Sequence, residues 1–153
     1  MSNEPKPDST VEAALQRIAS LLRSDPSLAA REATSFLASA PGHPLAALFL
    51  AMARRQLGDL PGALAILEAL EGRQPDSAAV QYELGATLGL AGRRQEALAA
   101  LRHAVARNAG IGEAWRMIAE HLVESGDVAG ADAAWANHIT IATAGPEIGR
   151  AHV

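Results

Sequence analysis

Five histidines and several carboxylates are the side chains of this sequence best suited to chemistry. Zinc hydrolysis needs paired histidines on one helix face with a glutamate as general base, as in HExxH. His121 and His138 have no histidine at four-residue spacing and no such carboxylate motif. His103 falls on a polar face and His43 in a loop, so all four read as structural. Glu120 and Glu124 lie four apart on one helix face, with Glu113 further back, and they read as a solvated edge rather than an acid/base pair. The chain has no cysteine, which removes disulfides, thiol catalysis and cysteine-based metal sites. No serine sits in a G-x-S-x-G elbow, and no glycine-rich loop follows a strand. The expectation is a chain with no catalytic residue, no metal site and no cofactor.

The elements that carry these residues repeat. "GDLPGALAIL", "GRRQEALAAL" and "GDVAGADAAW" place Gly58, Gly92 and Gly126 34 residues apart, and Ala63, Ala97 and Ala131 keep the same interval. So do Leu67, Leu101 and Trp135. A fixed period of that length signals stacked repeats. Each unit begins with a helix-patterned stretch that stops at a glycine: Pro44–Gly58, Ala78–Gly92 and Gly112–Gly126. Glycine is favoured there because it takes positive φ without a clash. A second helix follows at Leu60–Gly72, Arg94–Arg107 and Val128–Ala142, and links this short permit only antiparallel hairpins. Ala51, Gly85 and Ala119 on the first helices should face Ala63, Ala97 and Ala131 on the second, letting the axes approach closely.

Composition agrees with helices. Of 153 residues, 49% are hydrophobic but only 3% aromatic, so alanine and leucine supply the core. A net charge of −4 without a basic block argues against a nucleic-acid partner. The start "MSNEPKPDST" is polar and no apolar stretch reaches membrane-spanning length, so no membrane is expected and a cytoplasmic location follows by default.

Leu84, Gly85, Leu88, Ala97 and Leu101 fit the tetratricopeptide repeat (TPR) motif W-x2-L-G-x2-Y…A-x3-F…P. Trp115, Ile118, Ala119, Leu122, Ala131 and Trp135 fit it again, as do Leu50, Ala51, Ala63, Leu67 and Pro75. Arg54 stands where the motif has tyrosine, and Ala109 where it has its terminal proline. The chain therefore resembles the TPR family, which implies an all-α solenoid of antiparallel hairpins in a right-handed superhelix, about eight helices. The expected organisation is a disordered tail at 1–9, a degenerate capping hairpin at 10–43 opening on the Ser9/Glu12 capping box, repeats at 44–77, 78–111 and 112–145, and a tail at 146–153. In that family the first helices line a concave groove that binds a peptide or helix of a protein partner. The resemblance puts Phe49, Met52, Arg55, Tyr82, Glu83, Ala86, Arg116, Met117 and Glu120 there, with Tyr82 and Arg116 as anchors. The alternative is a groove that packs on the protein's own next segment.

A narrower resemblance rests on "AWRMIAEHL" followed by "GDVAGADAAWANHI". Trp115, Arg116, His121, Leu122, Gly126, Asp127, Gly130, Ala131, Asp132, His138 and Ile139 are similar to the opening repeats of bacterial TPR-sulfotransferase proteins, while Glu120 and Trp135 depart from them. This implies a longer parent whose later domain transfers sulfate from 3′-phosphoadenylyl sulfate, although none of that domain's phosphate-binding sequence is present. The last seven residues, "EIGRAHV", back-translate to what looks like a sequencing adapter read in frame, so the natural chain is expected to run on past Gly145. A last helix that leaves Trp135, Ile139 and Ile141 uncovered gives a further expectation, self-association through it. The register is testable at Ala97: Ala97→Phe should overpack its hairpin by about 1–3 kcal/mol, and an unchanged melting temperature would refute the alignment.

Overall fold

The computed structural model describes residues 7–151, with side chains from 9 to 145. Among them lie eight helices and no strand: α1 (Pro7–Ser24), α2 (Pro26–Ser39), α3 (Pro44–Gln56), α4 (Leu60–Arg73), α5 (Ala78–Leu90), α6 (Arg94–Arg107), α7 (Gly112–Ser125) and α8 (Val128–Ala151). Two compact units divide them, Met1–Arg73 with α1–α4 and Gln74–Val153 with α5–α8. The expected hairpins are present, and the largest departures from the sequence reading are at the start of α1 and the end of α8. Helix α1 begins at Pro7, so Ser9 sits within its first turn rather than capping it. Proline is well suited to such a start, because its φ is preset and its missing N–H has no intrahelical partner there. Helix α8 continues past Ala142, with a break at Gly145 (φ 40°, ψ 179°). Side chains of the 146–153 tail lie outside the described residues.

Three of the four hairpin turns are made by one local device, while the turn from α1 to α2 runs through Asp25, with Pro26 opening the second helix. Gly58, Gly92 and Gly126 have φ of 87°, 79° and 85°. The amide after each glycine donates to a carbonyl five residues back: Asp59 to Arg54 at 2.9 Å, Arg93 to Leu88 at 3.0 Å and Asp127 to Leu122 at 2.9 Å. The glycine's own N–H donates three residues back, to Arg55, Gly89 and Val123. This is the Schellman arrangement, which satisfies the last carbonyls of the first helix while reversing the chain.

The residue after the glycine then starts the second helix, in two ways. Asp59 Oδ1 accepts from the Gly62 amide at 3.0 Å, and Asp127 Oδ1 from Gly130 at 2.9 Å. A Cβ on Gly62 or Gly130 would stand 2.1 or 2.5 Å from Oδ2 of the capping aspartate as it is placed, whereas Asp25 makes the same cap to the Leu28 amide with a side chain at that position. Arg93 cannot accept such a bond, and glycine is replaced there by Glu96, which binds the Arg93 guanidinium at 3.0 and 2.6 Å. That hydrogen bond holds the Glu96 carboxyl below its ordinary value.

Other ties recur at one-repeat spacing within each unit. Arg73 Nη2 donates to the Gly42 carbonyl at 3.0 Å, and Arg107, in the same place on α6, reaches Asp76 Oδ1 at 2.7 Å. Gln81 Nε2 donates to the Pro75 carbonyl at 3.1 Å, and Trp115 Nε1 to the Ala109 carbonyl at 2.8 Å. Ala109 can therefore replace the motif's proline, since only the backbone oxygen is used. His43, at first sight a loop residue, caps α3: its Nδ1 accepts from the Ala46 amide at 3.2 Å, as Ser77 Oγ accepts from Val80 in α5.

Small residues set the helix separations as expected. Ala63, Ala97 and Ala131 are buried, and so are Ala51, Gly85 and Ala119. The approach is tightest at Gly85, where an added Cβ would lie 2.6 Å from Leu101 Cγ and 3.2 Å from the Ala97 carbonyl oxygen. The first unit's core gathers Ile18, Leu22, Ala29, Ala33, Leu50 and Ala53. The second gathers Leu98, Leu101, Val105, Ile118, Leu122 and the alanines between them. Gly72 in α4 has no atom near its missing Cβ, so Gly72→Ala should gain up to about 1 kcal/mol from helix propensity. Gly85→Ala should instead lose about 1–3 kcal/mol by overpacking. Urea midpoints moving the same way in both would refute the close approach.

Candidate functional site

The residues expected on the groove fall in both units. In the first, α3 carries Phe49, Met52 and Arg55, all half-buried. Phe49 and Met52 pack against the Leu50–Ala53 core, leaving one side of each accessible.

In the second unit the expectation needs correcting. Glu83 and Ala86 are each only 7% exposed, and Tyr82 is half-buried against the core rather than an exposed aromatic. The residues of α5 mark no polar face, and every one from Val80 to Leu88 except Tyr82 is buried, Gln81, Glu83 and Thr87 included. A helix without a polar face is enclosed rather than presented. Helix α7 does present a face: Met117 and Arg116 are half-buried and Glu120 is exposed.

Arg116 is not a free cation. Its Nε donates to Glu113 Oε2 at 2.8 Å and its Nη1 to Glu120 Oε1. Its charge is held above the ordinary arginine range, first by the hydrogen bond to Glu113, against desolvation, and then by Glu120. Spacings of three and four residues make both pairs accessible on one helix face, and that signal stands in the sequence as E-x-x-R-x-x-x-E. With one cation between two carboxylates the face keeps a net negative charge, so Arg116 is a poor anchor for a carboxylate. Glu124 ends the same stripe but turns to Arg94 at 2.8 Å.

The described histidines each have a structural neighbour. His138 Nδ1 lies 2.9 Å from the Gly112 carbonyl and its ring meets Trp135 edge-on at 5.7 Å. His103 approaches Asp76 at 3.7 Å. His121 fills the space above Gly89, where a Cβ would stand 2.8 Å from its Nε2. Its Nδ1 is buried without a hydrogen bond and lies 3.9 Å from Glu124. Among the described residues no three His, Cys, Asp or Glu side chains gather closely enough to hold an ion. No described helix is long and apolar enough to cross a membrane.

Residues behind the narrower resemblance also have local structural roles. Gly126, Asp127 and Gly130 form the turn and cap that "GDLPG" forms at Gly58, Asp59 and Gly62. Trp115 anchors the loop carbonyl of Ala109, His138 meets the Gly112 carbonyl at the start of α7, and Arg116 is held within its own helix.

Two tetratricopeptide repeat family models match the chain, one over residues 20–84 and one over residues 82–146. No curated protein sequence matches it. Among solved structures it is similar to MamA (41-end) from Desulfovibrio magneticus RS-1, with a TM-score of 0.75 at 18% identity over 88% of this chain and 77% of that one. A crystal structure of MamA gives a TM-score of 0.69 at 24% identity, over 78% of this chain and 70% of that one. Likeness at such identities speaks for the fold alone.

The two aspartates of "GDVAGAD" separate structure from surface. Asp127→Ala should cost about 0.5–2 kcal/mol through the lost cap, whereas exposed Asp132 makes no such bond and Asp132→Ala should stay within about 0.5 kcal/mol. Equal shifts in thermal midpoint would contradict the capping role.

Proposed function

The chain belongs to the tetratricopeptide repeat family, and from that premise we propose that it is a protein–protein interaction module that docks a partner segment on the first helices of its hairpins. The observation that carries this reading is the face of α7. Met117 stands there beside an arginine already neutralised by Glu113 and Glu120. Apolar contact beside net negative charge suits a partner peptide or helix that offers apolar and cationic side chains. Phe49 and Met52 supply apolar contact on the first unit.

Self-association is the second reading, favoured by Val128 and Ile139, which are 67% and 56% exposed on α8. Sedimentation velocity on wild type and Ile139→Asp separates it: a dimer lost in the variant supports it, and a monomeric wild type excludes it. A role as the non-catalytic front segment of a longer sulfotransferase rests on the last-unit motif alone. An open reading frame running on into phosphate-binding sequence would establish it.

The docking reading is tested by affinity capture from native lysate, using wild type, Met117→Ala and Glu113→Lys/Glu120→Lys. The expected outcome is a partner held by wild type, weakened by Met117→Ala and lost on charge reversal, with the helical circular dichroism spectrum retained. Identical capture by all three would overturn the α7 face as the docking surface.

A further inference from the structure

An open, largely apolar hollow of about 400 Å³ lies on the opposite side of α7, among α6, α7 and α8. Trp115, Ile118 and Leu122 form its floor, following one helical stripe that points away from Glu113, Arg116, Met117 and Glu120. Val105 on α6 and Ala134 on α8 wall it, and small residues on α8 keep it open. Its size falls within the roughly 300–1,000 Å³ of small-molecule sites, which are apolar with a few polar groups at the edge.

Two polar side chains stand at this edge, Arg102 from α6 and Asn137 from α8. Carboxylates hold every other described arginine of this unit: Glu96 holds Arg93, Glu124 holds Arg94, Asp76 holds Arg107, and Glu113 with Glu120 holds Arg116. Exposed Arg102 is the one described arginine of this unit without an acidic partner. Its neighbours across the cavity, Ala133 and Asn137, cannot supply one. The Trp115 indole N–H is already bonded to Ala109 and makes no demand on an occupant.

We propose that this cavity binds a small amphipathic carboxylate, its apolar chain over Ile118 and Leu122 and its carboxylate on the Arg102 guanidinium, with Asn137 able to donate a second hydrogen bond. The match is one of charge and polarity: an apolar hollow bordered by the unit's one uncompensated described cation. A cationic or neutral amphiphile of equal length would leave Arg102 unpaired. This site shares no residue with the proposed docking face, so either can fail without the other.

Trp115 in the floor gives the readout. In the full chain carrying Trp135→Phe, decanoate below its micellar concentration should change Trp115 fluorescence saturably, while decylamine should not. Arg102→Gln should weaken decanoate binding roughly tenfold, the loss expected for one charge-assisted hydrogen bond. Ala133→Phe, at an exposed position on the wall, should abolish binding while circular dichroism shows an unchanged melt. No saturable response to decanoate, an equal response to decylamine, or full binding by either folded variant would overturn the proposal.

Discussion

The bare Cα of Gly85 against Leu101 sets how closely α5 and α6 lie, and much of the second unit follows from it. Leu101 is fully buried, and a Cβ at position 85 would stand 2.6 Å from its Cγ. Close approach lets Ala97 and Ala104 seal the same interface without leaving a void, in a core with few aromatics. The other hairpins use alanine at the same places, Ala51 with Ala63 and Ala119 with Ala131, so the motif tolerates one methyl where the facing side chain is placed to receive it. Gly89 extends the principle to the next helix, where its missing side chain makes room for the His121 ring.

Turns and caps then fix where each second helix begins. The three glycines and the hydrogen bonds that follow them are nearly superimposable in dihedral and distance, yet the cap differs. Asp with Gly and Arg with Glu are two ways of starting the second helix, and Asp25, which caps the Leu28 amide, shows that the glycine is not obligatory. The "GDxxG" pattern builds the same turn and cap at Asp59 as at Asp127. This is why a motif match built on those residues says more about the hairpin than about a catalytic domain.

Helix α7 shows how one element serves two surfaces. Positions 113, 116, 117 and 120 form one stripe and 115, 118 and 122 the opposite one, as a period of 3.6 dictates. The first stripe neutralises its own arginine and keeps an excess of negative charge, while the second floors a hollow edged by Arg102, which has no acidic partner among the described residues. Such opposite electrostatics on two sides of one helix favour different occupants.

Sequence alone determined what depends on local spacing. The period of 34, the hairpins, the left-handed glycines and the buried alanines were legible because turns and helix faces are set by residues within a few positions of one another. Even the Glu113–Arg116–Glu120 clasp is written in the spacing, because residues three and four apart share one helix face. Tertiary structure decided the rest. Burial of Glu83 and Ala86 depends on how completely α5 is enclosed, and its nearly uniform apolar pattern marks no face to leave open. The capping role of His43 depended on the loop geometry that brings its ring to the Ala46 amide. The hollow beside Arg102 is assembled from three helices whose contributions are far apart in the chain. No periodicity within one helix encodes such a volume, because it exists only once the helices have been packed at the distances their small residues allow.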